Sequence, residues 1–484
     1  MQWTNIRLFA IHFWRNATAP KSFYLLLLIF ILLTAYSAVS GIKNHIIQND
    51  IREEHQVKAR QSWEANPDKH PHRMAHFGTF AFRTQATLGI FDSGLESFTG
   101  STVFLEAHRQ NSVNFSEATF STGMLRFGEL SLALLLQLVL PLILFFIGFS
   151  SIAGDKQNGT LKILLSQGAT WKEILFGKSI GLFVISLLFF IPILLVVIIS
   201  ILIFENPVAN DFRWFRLFII GMSYLVFLFI ICAITVMVSA SSHTPKNALL
   251  RLLGIWLLLV ILIPKSAQAM GNYWFPTPSK LAFQSAIEEE EVIQKGDSHN
   301  PNDPHYNHLR DSVLATHKVD KVTDLPFNYS GFVMREGEKI SASLYRKHQA
   351  ALINIYKNQN EVTLFSSFIN PFTSIKIISM TMSGTDFSSY IDFQDKADEY
   401  RYRLAQNMNE LQMEFISPKK ESGSEGKTHV VGHQHWEGFQ DFKHEPIAFS
   451  RSMKEAFPAL ISILFWAIGT IGLLLFISKR ARVI

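Results

Sequence analysis

Long apolar runs separated by polar stretches dominate the hydrophobic pattern of this chain. A helix needs about 20 apolar residues to cross the hydrocarbon core of a bilayer. The runs of this length predict six membrane-spanning helices, at 22–41, 128–150, 178–204, 216–239, 250–268 and 456–477. The pattern therefore predicts a mainly α-helical membrane protein.

The first apolar run has a second interpretation. Its basic flank, apolar centre and Ala38-Val39-Ser40 ending are also typical of a cleavable signal peptide. However, the preceding segment 1–21 is long and aromatic, whereas the region before the apolar core of a signal peptide is normally short. We therefore expect the run to remain as a span, and 1–21 to form an amphipathic helix at the cytoplasmic membrane interface.

Basic residues set the expected orientation. They cluster before the first run, in 151–177 with the adjoining Lys178, between the fourth and fifth runs and after the last run. If the spans alternate, all four clusters lie on one side, which the positive-inside rule makes cytoplasmic. Both termini are then cytoplasmic, and the loops 42–127, 205–215 and 269–455 are extracytoplasmic.

The stretch 362–382 is a candidate seventh span. Asn370-Pro371 near its middle and Lys376 make a crossing costly, and an extra span would move the basic carboxyl terminus outside. We predict instead a buried or membrane-surface helix pair that belongs to the outer domain.

The two long loops, 42–127 and 269–455, are too long to be simple connectors. Apolar periodicity predicts helices over 336–358 and 392–414, whereas the polar, glycine-rich stretch 417–435 predicts a mobile loop. We expect both loops to fold together, or against a partner, into a large and mostly helical outer domain.

Composition and motifs argue against an enzyme. Charged residues are 17% of the chain, against about 25% in typical soluble proteins, and the lone Cys232 excludes an intrachain disulfide and a cysteine metal cluster. Gly177-Lys178-Ser179 ends like a phosphate-binding loop, but Lys172 occupies the place of the required first glycine. His444-Glu445 lacks the second histidine of the H-E-x-x-H metalloprotease motif. We expect no cofactor in this chain and no nucleic-acid partner.

Histidines cluster in both long loops, and imidazole is a common metal ligand. We expect these histidines to be solvated and to hold no metal. A membrane-bound enzyme that uses them is an alternative hypothesis for the function of the chain. The residues are His70, His72, His76, His429, His433, His435 and His444.

The chain resembles the permease subunit of an ABC-2-type transporter. The resemblance comes from the six spans, the aromatic amino-terminal segment and Gly159-Thr160-Leu161 with Leu164-Leu165 and Gly177-Lys178 after it. Motifs in the long loops resemble one branch of these permeases, which is often known only as a domain of unknown function and is related to the nitrous-oxide-reductase maturation permease. The motif residues are His76, Gly78, Glu106, His108, Arg109, Asn111, Pro276, Pro278, Gly384 and Asp386.

The resemblance implies that residues 155–166 are a coupling helix that sits in a groove of a separate ATPase. Gly159 would allow close approach or a sharp turn, three leucines would form an apolar anchor, and Lys156 and Lys162 would stay solvated. Where the family usually has an acidic residue, this chain has Gln157, and its Asp-Pro-Gly turn reads Asp92-Ser93-Gly94. The alternative for residues 155–166 is a positively charged cytoplasmic loop with a glycine cap. The alternative for the amino-terminal helix, which the resemblance implies also contacts the ATPase, is a simple membrane anchor. The implied contact residues are Asp155, Gln157, Gly159, Thr160, Leu161, Leu164, Leu165, Trp3 and Ile6.

The function implied is transport across the bacterial inner membrane, driven by a partner ATPase dimer that binds ATP and magnesium. A second permease chain, identical or paralogous, would complete the pathway. Gln137 and Pro141 are pathway candidates, although Gln137 could equally bond a neighbouring helix. The alternative function is mechanotransmission, in which the outer domain moves and acts on a periplasmic or outer-membrane partner without passing cargo.

Overall fold

The computed structural model describes residues 2–107, 130–204, 212–296, 300, 302–417 and 429–480. Within them, six helices are long and apolar enough to cross a membrane. In chain order these spans are Lys21–Glu64, Leu132–Gln157, Trp171–Ile203, Arg213–Ser241, Pro245–Trp274 and Phe449–Lys479. The chain is therefore a mainly α-helical, multi-pass membrane protein, in agreement with the sequence prediction.

The remaining elements lie outside the spans or between them. The other α-helices are Trp3–Thr18, Pro71–Phe77, Glu96–Thr99, Lys280–Lys295, Pro304–His317, Tyr329–Ser366, Pro371–Ser383, Phe387–Phe415 and Gln434–Glu437. Short 3₁₀ turns cover Thr87–Ile90, Val322–Asp324 and Ser367–Ile369. The strands Thr79–Phe82 and Thr102–Leu105 form an antiparallel hairpin in which Thr79 pairs with Leu105.

The bundle has two dissimilar ends. We call the end formed by residues 2–20, 149–170 and 242–244 the base, because only short connections occur there. We call the opposite end, formed by the described parts of 42–107, 275–366 and 384–446, the head. Successive spans run antiparallel, which puts both long loop regions at the head and the amino-terminal helix at the base.

The first span does not end at the membrane boundary. Its 44 residues form one helix of about 66 Å, roughly twice the thickness of a bilayer core. The extended part enters the head, where Arg60 Nη1 donates to the carbonyl of Phe439 at 2.5 Å. Trp63 Nε1 likewise donates to the carbonyl of Trp436 at 2.8 Å. A single helix therefore connects the membrane to the head.

The stretch 362–382 enters the bundle and turns back without crossing it. The long helix Tyr329–Ser366 ends inside the bundle, and Pro371–Ser383 returns towards the head. At the turn, Asn370 Nδ2 donates to the carbonyl of Leu259 at 2.6 Å, and Trp466 Nε1 donates to the carbonyl of Ser367 at 3.1 Å. These bonds satisfy polar groups of the buried turn. Without such bonds, irregular backbone inside a bilayer core is unfavourable.

The returning helix Pro371–Ser383 is buried, as expected, but its main partners are the fourth and sixth spans and not the outer domain. Ser374 and Ser462 share a hydrogen bond of 2.9 Å, and the rings of Phe372 and Phe227 meet edge to face at 5.1 Å. We call the two helices and their turn the re-entrant pair.

The head is built by both long loop regions. One apolar cluster joins residues 63–75 with the helix Phe387–Phe415 and with Trp436, and a second joins the hairpin with the same helix and Phe442. The predicted mobile loop is wrong in part, because Val431 is buried and exchanges backbone hydrogen bonds of 3.1 and 3.3 Å with Lys69. The rest of that prediction, 418–428, lies outside the described residues.

Candidate functional site at the base

Two short helices at the base, Ala153–Gln157 and Thr160–Ser166, connect the second span to the third. Gly159 and Gly168 flank the second of them with φ angles of +75° and +92°. No atom lies within 4 Å of the position that a Cβ would take at either glycine. The glycines are therefore required for a left-handed turn and not to relieve crowding within this chain.

The exposed face of the helix Thr160–Ser166 differs from the predicted one. Leu161 is only 3% exposed, and Leu164 and Leu165 are half-buried, because all three pack on the apolar core of the bundle. The leucines recur at the spacing of one helix face, and that face points inward. The expected leucine anchor is therefore wrong for Leu161. The exposed apolar residue is Ile163, at 58%, which the sequence analysis missed.

The helix Ala153–Gln157 is fixed to the spans by charge. Lys178 Nζ, whose side chain is 6% exposed, donates to Asp155 Oδ2 and to the carbonyl of Ser151. Lys156 Nζ donates to the carbonyl of Ala240, so the expectation of a solvated Lys156 is wrong. Asp155 therefore serves an internal ion pair, whereas Gln157 and Thr160 are exposed.

The amino-terminal helix Trp3–Thr18 packs closely on the third span. A Cβ at Gly177 would lie 2.5 Å from Phe9 Cβ, and one at Gly181 would lie 2.8 Å from the carbonyl oxygen of Ala10. Two glycines four residues apart on one helix face allow such close contact. Gly177, which resembles part of a phosphate-binding loop in sequence, therefore has a packing role in the structure.

The start of the third span joins the amino-terminal helix to the base loop. Thr170 and Glu173 form a capping box, and Glu173 Oε1 also accepts a 2.7 Å hydrogen bond from the Gln2 amide. Ile6 is 1% exposed against the third span, so its predicted contact with a partner is wrong for this conformation. Trp3, 71% exposed, remains available.

The two pathway candidates lie where the second span departs from α-helical geometry. A π-helical turn covers Leu135–Val139, two residues before Pro141, which lies at the start of the following α-helical segment. A proline inside a helix lacks the amide hydrogen for the bond to the carbonyl four residues earlier, which here is that of Gln137. Gln137 Nε2 donates to the hydroxyl of Tyr224 on the fourth span at 2.7 Å. Of the two roles considered for Gln137, the structure contains the bond to a neighbouring helix.

That hydrogen bond continues towards the head through buried polar groups. The Tyr224 hydroxyl donates to Ser379 Oγ of the re-entrant pair at 3.2 Å, and Ser379 Oγ donates to Asp92 Oδ2. The chain from Gln137 to Asp92 therefore connects the second and fourth spans, the re-entrant pair and the first loop region.

Asp92 begins a turn at which two sequence motifs meet. The Leu95 amide donates to the carbonyl of Thr385 at 2.9 Å, and a Cβ at Gly94 would lie 2.4 Å from Thr385 Oγ1. Gly384 has a φ of +72°, and Asp386 caps the following helix by accepting from the Ser389 amide at 3.2 Å. The motif Gly384-Thr385-Asp386 thus docks the two loop regions on each other.

The other motif residues have separate positions in the head. His76 Nδ1 lies 3.2 Å from Glu106 Oε1, and a Cβ at Gly78 would lie 2.5 Å from the ring of Phe104. Pro276 and Pro278 are exposed on the connection after the fifth span. The predicted motif residues that lie outside the described part of the chain are His108, Arg109 and Asn111.

The described histidines do not assemble a metal centre. No group of three or more His, Cys, Asp or Glu side chains within the described ranges is placed to hold a metal ion. His444 is mostly buried, which lowers its pKa to about 3, and its Nδ1 accepts from the Thr84 amide at 3.1 Å. We therefore assign His444 a structural role as a neutral acceptor.

Asp92 is expected to make stability depend on pH. Burial raises the pKa of this carboxyl group, and the hydrogen bonds from Ser379 and the Gly94 amide, with the charge of Lys376, offset the rise only in part. A raised pKa means that the folded state binds the proton more tightly than the unfolded chain. Stability should therefore increase as pH falls from the folded-state pKa towards the unfolded one, and decrease as pH rises through the folded-state pKa.

Asp92→Asn keeps the shape of the side chain and removes the titration. The thermal midpoint of the wild type minus that of the variant, measured at a series of pH values, removes the contribution of the other titrating groups. This difference should increase as pH falls. A difference that does not change with pH would show that folding leaves the pKa of Asp92 unshifted, and one that grows as pH rises would show that the folded state favours the ionised carboxylate.

A family model described as a domain of unknown function (DUF3526) matches residues 280–445, about a third of the chain. The match covers the head helices Lys280–Lys295, Pro304–His317, Tyr329–Ser366 and Phe387–Phe415, together with the re-entrant helix Pro371–Ser383. No curated protein matches the chain. The comparison therefore assigns most of the second loop region and the re-entrant helix to a domain of unknown function and gives them no activity.

Proposed function

We propose that this chain is the permease subunit of an ATP-binding cassette transporter of the ABC-2 type and that its base receives force from a separate ATPase dimer. The observation that carries the proposal is the short helix Thr160–Ser166, which projects between two left-handed glycines with Ile163 exposed. An exposed isoleucine on a short helix is suited to a partner groove.

The surroundings of this helix support transmission of force. The ion pair between Asp155 and Lys178 fixes the neighbouring helix to the third span, and Gln2 with Glu173 fixes the amino-terminal helix to the same span. A push on Thr160–Ser166 would then move the third span and the amino-terminal helix together. ATP and magnesium would be bound by the ATPase, and a second permease chain would complete the assembly.

We propose the bacterial inner membrane as the location, with the base in the cytoplasm. Lys162 lies in the base, and Lys172 and Lys246 lie next to it in the first turns of the third and fifth spans, as the positive-inside rule expects near a cytoplasmic face. Trp3→Cys offers a test, because the natural Cys232 is buried. A membrane-impermeant thiol reagent should label Trp3→Cys only in inverted vesicles, and labelling from the periplasm would reverse the topology.

A specific feature favours mechanotransmission as a second candidate. The first span continues without a break into the head, so a tilt of that helix at the base would move the head directly. Transport requires cargo to cross a reconstituted bilayer, whereas mechanotransmission requires only an ATP-dependent movement of the head. Distances between spin labels at exposed positions of the base and the head would report the ATP-dependent movement, and a flux assay would report transport. Together they would distinguish the two functions.

Ile163→Glu is expected to reduce copurification of the ATPase at least about tenfold, because burying an unpaired carboxylate at a contact is unfavourable. The fold should be unaffected, since Ile163 is exposed. Gly159→Ala should weaken coupling as well, because a left-handed alanine costs about 1–2 kcal/mol and its Cβ would face the partner.

Gly168→Ala is the matched control for Gly159→Ala. Both glycines have positive φ and open surroundings, so the two variants carry a similar strain. Loss of ATPase coupling in Gly159→Ala, with coupling retained in Gly168→Ala, supports a contact at the turn before Thr160. Equal coupling in all three variants, Ile163→Glu included, would exclude this helix as the site of force entry.

A further inference from the structure

The head contains a cavity of about 810 Å³ between the extension of the first span and the strand hairpin. Its helical wall runs from Asn44 to Ser62, a length of about 27 Å. The opposite wall is formed by residues 77–85 and 93–104. The volume lies within the range of about 300–1,000 Å³ that is usual for small-molecule sites.

The wall formed by the hairpin is aromatic. Phe80 is central to it, with its ring 5.0 Å from that of Phe104 and 6.0 Å from that of Phe82. Phe77 continues this surface, and both Phe77 and Phe80 are exposed into open space. Exposed phenylalanines that line a concave surface are unfavourable in water and are suited to an apolar ligand.

The cavity is also positively charged. Among the described residues, its lining contains the cationic side chains of Arg52, Lys58 and Arg83 and one carboxylate, Glu96. Two of the cations have partners in the head, since Arg83 lies 4.0 Å from Glu96 and Lys58 pairs with Glu54. An excess of positive charge therefore remains next to the phenylalanine surface.

Arg52 supplies that excess. Its side chain is half-buried and makes no hydrogen bond or ion pair with any residue that the structure describes, and the exposed Glu53 next to it in the helix offsets its charge only in part. A partly desolvated guanidinium without a hydrogen-bonded anion is costly, and an anion in the cavity would reduce this cost. Arg52 lies two turns of helix beyond Asn44 on the mostly polar helical wall. A molecule whose anionic group binds there can place its apolar part against the phenylalanine surface of the same cavity.

The position of the cavity along the first helix places it next to the bilayer. The lining begins at Asn44, three residues after the predicted end of the first apolar run. Below it, the same helix exposes Leu32, Tyr36 and Val39 on the surface of the span, where acyl chains would lie. At 100° per residue these three side chains lie on the face of the helix opposite Arg52, so they mark the level of the bilayer and not a track into the cavity. The cavity therefore begins just beyond the membrane-spanning part of the helix, at a level that an acyl chain can reach.

We propose that the head cavity binds anionic amphiphiles, with the acid group on Arg52 and the apolar chain against Phe77, Phe80 and Phe104. This inference does not rest on the proposed function, because it concerns binding by this chain alone. The shared chemistry is an acyl chain with an anionic group, whether the source is a free fatty acid or an anionic phospholipid of the head-side leaflet.

The test uses the full-length chain in nanodiscs of zwitterionic lipid and a dansyl-labelled fatty acid as the probe. Saturable enhancement of dansyl emission is expected for the wild type. Arg52→Gln should weaken binding about 10- to 100-fold, as expected for loss of a hydrogen bond to a charged group. Phe80→Ala should weaken it separately, and the methyl ester of the probe should bind weakly and be insensitive to Arg52→Gln.

Arg310→Gln is the matched control, because it removes the same charge from an exposed head helix away from the cavity. Unchanged binding in this variant, with the loss in Arg52→Gln, supports the site. Absence of saturable binding to the wild type, or equal effects of the two arginine variants, overturns it. Displacement of the probe by phosphatidylglycerol in the nanodisc assigns the bilayer as the source, and failure of that displacement assigns the free acid.

Discussion

Replacing Asp155 by alanine is expected to lower the free energy of unfolding by about 3 kcal/mol. Among the described residues, the variant leaves the ammonium group of Lys178 in the bundle with the carbonyl of Ser151 as its hydrogen-bond partner. Removing one member of a buried ion pair typically costs about 3–5 kcal/mol, because the other charge stays desolvated. Titration with SDS from mild detergent, followed by circular dichroism, would measure the change.

The double variant Asp155→Ala with Lys178→Met should recover most of this loss, since no buried charge then remains. Lys162→Met provides a control, because Lys162 is exposed and its loss should change stability by no more than about 0.5 kcal/mol. If Asp155→Ala alone were as stable as the wild type, the ion pair would not be what holds the base helix to the third span.

Replacing Gly177 by leucine is expected to displace the amino-terminal helix from the third span. Even the Cβ would lie 2.5 Å from Phe9 Cβ and 2.8 Å from the carbonyl oxygen of Ile6, too close for either helix to accommodate. With Ile6→Cys as a reporter, labelling by a thiol reagent should accelerate at least about tenfold, because Ile6 is buried in the native contact.

Gly221→Leu is the matched control for this experiment. It makes the same substitution in another span, and no atom lies within 4 Å of the position of its Cβ. The reporter should therefore stay protected in Gly221→Leu. The same labelling rate in the two variants would show that Gly177 does not hold the amino-terminal helix in place.

The sequence predicted local features better than it predicted their partners. The leucines at positions 161, 164 and 165 were correctly seen to share a helix face, but that face turned out to pack on the bundle, which left Ile163 exposed. Lys156 and Lys178 were counted as loop cations, whereas both donate to groups of the bundle. The one-dimensional pattern contains no information on which neighbour receives a side chain.

The sequence by itself determined the helical class and the number of apolar spans, because a bilayer imposes a length and a composition that can be counted along the chain. It also marked Asn370-Pro371 as a break that a crossing would not tolerate. Only the tertiary structure decided that the re-entrant pair packs on the fourth and sixth spans and that Asp92 reaches Ser379. It also brought Arg52 into the same cavity as the phenylalanine wall. These contacts join residues far apart in the chain, and their existence depends on packing and on the pairing of buried polar groups, which no local pattern records.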